Sequence, residues 1–423
     1  MLRLLYSFLF YLAVPFLVIR LIYKAKNNPS YSKRWRERFG IFKAPKQTGA
    51  IWIHAVSVGE TMAAIPLIKQ LQAKYPKPIV ITTMTPTGSE RVKAIFESSV
   101  FHIYIPYDMP LAVKRFLNKI KPCALIIMET ELWPNYLHHC HKRRIPVLLA
   151  NARLSERSKQ GYQKFPHLTR TMLNQINQIA SQNKADAERF IALGADKTQV
   201  KITGSMKFDI NIAASVQEKA SVFRTLWGQD RLVWVVASTH EGEEEQVLQA
   251  FQQVKQRLSG VLLVLVPRHP ERFDKVVQLC KKQGYQVLKR SKNKACTPET
   301  EVFIGDSMGE LLAQYAACDV AFVGGSLMPI GGHNLLEPAA LGKPAITGPH
   351  VFNFAEITKM LIDAGAVTMI HSVDELARDV IGFLANHDKR IDAGQKGIKV
   401  VEQNKGAVEA HLHLFEQLLC KTY

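Results

Sequence analysis

This chain of 423 residues is poor in several things that would otherwise decide its class. Its six cysteines (Cys123, Cys140, Cys280, Cys296, Cys318 and Cys420) include no Cys-x-x-Cys pair. That usage suits a reducing compartment and not a disulfide scaffold. No Asp-x-Asp pair occurs, which argues against a donor phosphate held by a divalent ion on paired aspartates; neither metal nor cofactor is expected. Without Gly-x-x-x-x-Gly-Lys-Ser/Thr there is no sign of nucleoside triphosphate hydrolysis. Acidic residues are in deficit, 36 Asp and Glu against 55 Lys and Arg, a formal charge of +19. No RNA-binding signature with interleaved aromatics accompanies that charge. The expected anionic partners are therefore a membrane surface or a substrate, not nucleic acid.

Charge is also missing from Leu4 to Ile19, a run of 16 residues between Arg3 and Arg20. As a helix it measures about 24 Å, enough for a bilayer core only if the terminal arginines snorkel. Lys24, Lys26, Lys33, Arg34, Arg36 and Arg38 come next. The basic flank places the rest of the chain on the cytoplasmic side of a membrane. It is on the wrong side for a cleaved signal peptide, and no Ala-x-Ala site is present after the run. Residues 1–23 are read as a membrane anchor, with KRWRERF resting on anionic headgroups.

From Ile51 onward, short apolar runs alternate with amphipathic ones. Strands are expected at Ile51–Val56, Ile79–Thr83, Phe101–Tyr104, Ala124–Met128, Pro146–Ala150, Gln178–Ser181 and Val200–Thr203, with helices between them. A second series begins after a seam near residues 210–214, with strands at Leu232–Ala237, Val261–Val266, Gln286–Leu288, Val302–Ile304, Val320–Val323 and Pro344–Thr347. Strand–helix alternation implies parallel sheets with crossover helices. The expectation is an α/β chain of two Rossmann-like, doubly wound domains facing a cleft, residues 24–210 and 211–423. Ligands would bind beyond the carboxyl ends of the strands.

The chemistry-bearing stretches fall at those strand ends. IWIHAVSVGE sets Glu60 at a helix start, placed to take a proton from a hydroxyl, although a glutamate there can also simply complement the helix dipole. METELWPN adds Glu129 and Glu131, NARLSERS adds Arg153 and Arg157, and GSMKFD adds Lys207 where the first half ends. In the second half, ASTHEGEE, VPRHPERF and GDSMGELL each come directly after a strand. Phe322–Pro349 packs Gly324, Gly325, Gly331, Gly332, His333, Asn334 and Glu337 into one glycine-rich turn and helix start. Glycine lets backbone approach a ligand, and free N–H groups suit a phosphate. The second half is read as the nucleotide-sugar half.

Taken in order, HAVSVGE, METELWPN, NARLSERS, GSMKFD, PRHPERF, GDSMGEL and GGHNLLEPAALGKP resemble the 3-deoxy-D-manno-octulosonate (Kdo) transferases of bacterial lipopolysaccharide synthesis, over essentially the whole chain. The resemblance implies a GT-B fold, acceptor half first and CMP-sugar donor half second. It also implies transfer of Kdo from CMP-Kdo to a lipid A precursor (lipid IVA), with inversion and release of CMP. Carried over by motif, Glu60 would be the general base, and Glu131 and Lys207 would stabilise the transition state. Arg268, His269, Gly309, Glu310, Leu311, Asn334, Leu335, Leu336 and Glu337 would hold CMP. Where the family usually reads HNPLEP this chain has His333-Asn334-Leu335-Leu336-Glu337-Pro338, which removes a preset φ but no ligand side chain. The alternatives are a transferase of the same fold using a UDP-sugar, and a tethered nucleotide-sugar-binding protein without catalysis.

Overall fold

The computed structural model describes residues 2–420, which divide into two compact units. Among these residues the first comprises 2–209 and 405–420, the second Ile210–Asn404. Each is built on one sheet of seven strands, all paired in parallel, with the inner strands buried. That burial accounts for the near-continuous Val, Ile, Leu and Ala runs.

The first sheet contains β1 (Ile51–His54), β2 (Ile79–Thr83), β3 (Phe101–Tyr104), β4 (Ala124–Met128), β5 (Val147–Ala152), β6 (Gln178–Ser181) and β7 (Val200–Ile202), in the order β3-β2-β1-β4-β5-β6-β7. The second contains β8 (Val233–Thr239), β9 (Leu262–Pro267), β10 (Val287–Lys289), β11 (Val302–Ile304), β12 (Val320–Val323), β13 (Ala345–Thr347) and β14 (Val367–Met369). Its order is β10-β11-β9-β8-β12-β13-β14. The seventh strand of this sheet, β14, lies outside the expected set: it is a three-residue edge strand with only Val367 buried, too short to register as an apolar run. In both sheets the chain reverses its direction of growth once, between β1 and β4 and between β8 and β12. Those switch points are where open α/β sheets bind ligands.

The expected second domain, 211–423, runs too far. The chain returns to the first unit at Lys405, and helix Ala407–Cys420 packs there on helix Val58–Lys74 and against β5 and β6. Phe415, Leu414 and Leu418 are buried with Ile53, Leu67 and Leu71 in one core. Asp209, the last residue before the chain leaves, accepts the N–H groups of Gly406 and Val408 at 2.6 and 2.5 Å. The outgoing and returning segments are thereby pinned to each other.

The N-terminal helix, Leu2–Asn27, is longer than its uncharged run. Its 26 residues measure about 39 Å at 1.5 Å each. Phe10, Val14, Leu17 and Leu21 pack on Tyr107, Met109 and Ala112, and Arg3 and Ser7 bond to Asn135 Oδ1 at 2.7 and 3.1 Å. The opposite face leaves Leu4, Leu5, Phe8, Leu9, Leu12, Phe16 and Ile19 exposed. By length and hydropathy this helix is able to cross a membrane.

Candidate active site

At the first switch point, β1 and β4 lie side by side, so the loops leaving their carboxyl ends meet. Ser57 caps helix Val58–Lys74, and Glu60 is the third residue of that helix. The serine hydroxyl receives the Glu60 N–H at 3.3 Å. The Glu60 carboxylate in turn accepts Val56 N–H at 2.7 Å, Ser57 N–H at 3.2 Å and Ser57 Oγ–H at 2.7 Å. The simple reading of a helix-start glutamate is therefore realised as a capping box. Yet Glu60 is only 7% exposed, and burial pushes its carboxyl up to about 7 against the pull of those hydrogen bonds, with Glu129 and Glu131 adding to the rise. A carboxyl that titrates near neutrality is suited to exchanging a proton with a hydroxyl.

Glu131 stands after β4 and accepts the Trp133 Nε1–H at 2.9 Å. Burial raises its carboxyl as well, with Trp133 opposing and Glu129 reinforcing. Trp133 meets the His54 ring edge-on at 5.3 Å. His54 Nδ1 is 3.0 Å from Thr82 Oγ1, its Nε2 is buried with no hydrogen-bond partner, and burial lowers the ring to about 4. His54 is thus a neutral wall behind the acidic group.

Lys207 lies half-buried in the short turn Met206–Phe208. That turn packs on helix Val58–Lys74 and on helix Ala407–Cys420. Its anchor is Asn151. The Asn151 side chain accepts Met206 N–H at 3.1 Å, and its backbone N–H donates to His411 Nε2 at 2.8 Å. Asn151 adopts φ 51° where β5 shifts register against β6. This is a left-handed conformation that asparagine tolerates better than most residues. His411 Nδ1 donates to Ala407 O at 2.6 Å, so the ring is neutral, and burial lowers it to about 4. The sequence singled out neither His411 nor the coupling through Asn151. A lone histidine in an apolar C-terminal helix gives no local sign of the strand that it contacts.

The second unit repeats the arrangement around β9, β8 and β12. Arg268 and His269 stand just after β9, and Arg268 N–H donates to Thr239 O at 3.0 Å, at the end of β8. Arg268 is close enough to act on Glu337, whose carboxyl is raised by burial and lowered by Asn334 and Arg268. Asn334 donates to Glu337 Oε1 at 3.2 Å and accepts Leu336 N–H at 3.1 Å. Leu335 and Leu336 are fully buried, so their side chains serve the core and a ligand could use only their backbone. The helix starts at Leu336. Glu310 sits just before helix Leu311–Ala317, and its carboxylate is taken by Arg290 at 3.0 and 3.1 Å. It braces the turn in which Gly309 has φ 83°.

Two buried carboxylates that the sequence left unassigned organise this region. Glu243 accepts His240 N–H at 2.8 Å, Gly325 N–H at 2.7 Å, Ser326 N–H at 3.0 Å and Leu327 N–H at 2.9 Å. Glu244 accepts Thr239 Oγ–H at 2.7 Å and both terminal nitrogens of Arg272 at 2.6 and 2.9 Å. One ties the turn after β8 to the glycine-rich loop after β12. The other ties it to the Arg268-His269 loop after β9. Their only local sign is the acidic run at a helix start in ASTHEGEE, which reads equally well as a solvated helix N-terminus.

Both the fold and these strand ends are those of a glycosyltransferase of two Rossmann-like units. Residues 33–210 match the family described as 3-deoxy-D-manno-octulosonic-acid transferase (kdotransferase), and residues 229–400 match glycosyl transferases group 1. The chain is 44% identical over 422 residues to the 3-deoxy-D-manno-octulosonic acid transferase of Haemophilus influenzae, covering 99% of each. It is 32% identical to a probable mitochondrial 3-deoxy-D-manno-octulosonic acid transferase of Arabidopsis thaliana, covering 95% of this chain and 92% of that one. Among solved structures, a UDP-N-acetylglucosamine 2-epimerase shares the fold, with a TM-score of 0.56 and 13% identity over 88% of this chain and 97% of its own. The chain belongs to the 3-deoxy-D-manno-octulosonic acid transferases. It is a glycosyltransferase of lipopolysaccharide synthesis that transfers this acid sugar.

Proposed function

We propose that this enzyme takes Kdo from CMP-Kdo and adds it, with inversion, to a hydroxyl of a lipid A precursor such as lipid IVA. The observation that carries the catalytic part is Glu60: an almost wholly buried carboxyl at the end of β1, raised to about 7 and flanked by Glu129 and Glu131. In its ionised form Glu60 takes the proton of the acceptor hydroxyl. The oxygen attacks the anomeric carbon, the bond from that carbon to the CMP phosphate oxygen breaks, and CMP leaves with the electron pair. Lys207 offsets negative charge on the departing phosphate, and Glu131, held by Trp133, stabilises the positive charge that develops on the sugar. In the second unit, CMP is held by Arg268, His269, the turn at Gly309–Leu311 and the stretch Asn334–Glu337.

The acceptor is a lipid, and the N-terminal helix presents an unbroken apolar face next to a strongly basic flank. On this reading the helix keeps the enzyme at the inner membrane with both units on the cytoplasmic side. Tethering raises the local concentration of a substrate confined to the same surface.

The test is to incubate the full chain with CMP-Kdo and lipid A precursor and to weigh the lipid products by mass spectrometry. A mass gain of one or more Kdo units is expected. An unmodified lipid, together with turnover of a UDP-sugar, would replace CMP-Kdo as the donor.

A further inference from the structure

Three neighbouring strands in the middle of the second sheet, in the order β9-β8-β12, lead into histidine or arginine side chains. His240 stands after β8, Arg268 and His269 after β9, and His333 lies in the loop after β12. His240 Nε2 and His333 Nε2 are 2.9 Å apart, with ring centroids at 5.2 Å and planes only 8° from parallel. His269 meets His240 edge-on at 5.4 Å. At 2.9 Å one imidazole donates and the other accepts, so a single proton lies between them. The accepting ring then carries its own proton on Nδ1, whereas the donating ring has an unprotonated Nδ1. A third proton can enter there without breaking the contact.

The pair is held in place by the fold. A side chain at Gly325 would put its Cβ 2.8 Å from His333 Cδ2, and Gly325 itself has φ 67°. The buried Glu243 carboxylate fixes the backbone of both His240 and Gly325, so one group sets both sides of the contact. The surroundings are dominated by cations. His240 is lowered by burial, raised by Glu243 and lowered again by His269, Arg272 and Arg268. His333 is lowered by burial to about 4, with His240, Arg268 and His269 adding to the fall. The Glu337 carboxyl is engaged with Asn334 and lowered by Arg268. With the site empty, the pair stays neutral. An anion placed among these groups reverses that balance.

We infer that the His240–His333 pair contacts an anionic oxygen of the bound donor, from either its phosphate or the carboxylate of its acid sugar, and that binding this oxygen draws one proton from solvent onto the pair. This rests on the reading of the second unit as the donor half. The proton adds positive charge where the donor's negative charge sits, so donor affinity falls as pH rises.

The test is calorimetric titration of the full chain in detergent, in two buffers of different ionisation enthalpy. The ligands are CMP alone and free 3-deoxy-D-manno-octulosonic acid alone. Expected is an uptake of up to about one proton per ligand bound, and a wild-type Kd that rises with pH, by up to about tenfold per unit. Uptake with CMP assigns the contact to the phosphate; uptake with the free acid assigns it to the carboxylate. His333→Gln and His240→Gln, with folding checked by thermal melting, are expected to bind about tenfold more weakly and without proton uptake. If wild type binds either ligand with no uptake and a flat pH profile, the inference is overturned, and the wild-type result stands even if both variants fail to fold. Uptake that persists in both folded variants also overturns it. Failure of wild type to bind CMP at all would instead remove the donor-half reading, and the inference with it.

Discussion

The two units place a glutamate at the same point of the same architecture and use it in different ways. Each sheet has its switch point beside its first strand, and each first strand leads into a helix whose start carries a buried glutamate, Glu60 after β1 and Glu243 after β8. Glu60 takes its hydrogen bonds from its own turn, Val56 and Ser57, and has two other carboxylates for neighbours. Glu243 reaches across to the next strand's loop and accepts four backbone N–H groups from two segments. A carboxylate capped locally beside like charges is left able to titrate. A carboxylate that closes a loop from the inside is a strut. Position in the fold alone does not separate a carboxyl left able to titrate from a brace; the origin of the hydrogen bonds does.

The largest expected effect is on the Glu60 side. Glu60→Gln keeps most of the cap but removes the proposed base, so transfer should fall by about 10²–10⁴ while CMP affinity by calorimetry stays unchanged. Near-normal turnover would end the role proposed for Glu60. Glu243→Ala should act on stability, because four backbone N–H groups, two of them buried, lose their acceptor. At about 1–3 kcal/mol for an unsatisfied group, partly relieved by water, the loss should reach about 3–5 kcal/mol in denaturant titration. If the variant melts like wild type, the strut assignment is wrong.

His411→Ala breaks the link from helix Ala407–Cys420 through Asn151 to the turn bearing Lys207. A loss of about 2 kcal/mol in stability is expected, with kcat falling more than the affinity for CMP. An equal fall in both would show that the link does not act through Lys207.

The pH dependence carries opposite signs at Glu60 and His411. Glu60 has its folded value raised above the ordinary carboxyl range, so the base form appears only as pH rises through about 7. Below that, kcat/KM should drop about tenfold per unit. By the same linkage Glu60 costs stability as pH rises from the ordinary carboxyl range toward 7. His411 is lowered to about 4, so its contribution is complete above the ordinary histidine range and is lost as pH falls toward 4. Melting temperature against pH in wild type and His411→Gln would separate the two. The smallest effect is expected at Glu337→Gln, a few-fold weakening of CMP binding with lipid binding unchanged; equal losses would count against the division of labour between the units.

Much of the architecture is legible in the chain. Ile79–Thr83, Phe101–Tyr104, Ala124–Met128, Gln178–Ser181, Val302–Ile304 and Val320–Val323 are strands with the expected ends, because a buried parallel strand must be an apolar run bounded by polar turns. The family's motifs are legible for a related reason: each sits in one turn at one strand end, where backbone and side chains act locally.

What the tertiary structure decided involves partners distant in sequence. The order of β11 between β9 and β10, the addition of β14 at the edge, and the return of helix Ala407–Cys420 to the first unit each depend on a choice among surfaces of similar apolar character. No local pattern records that choice. Asn151 and His411 lie 260 positions apart, and Glu243 and Gly325 lie 82 apart. In both cases a residue ordinary in its own segment becomes a fixed hydrogen-bond partner only because burial leaves it no water to bond instead.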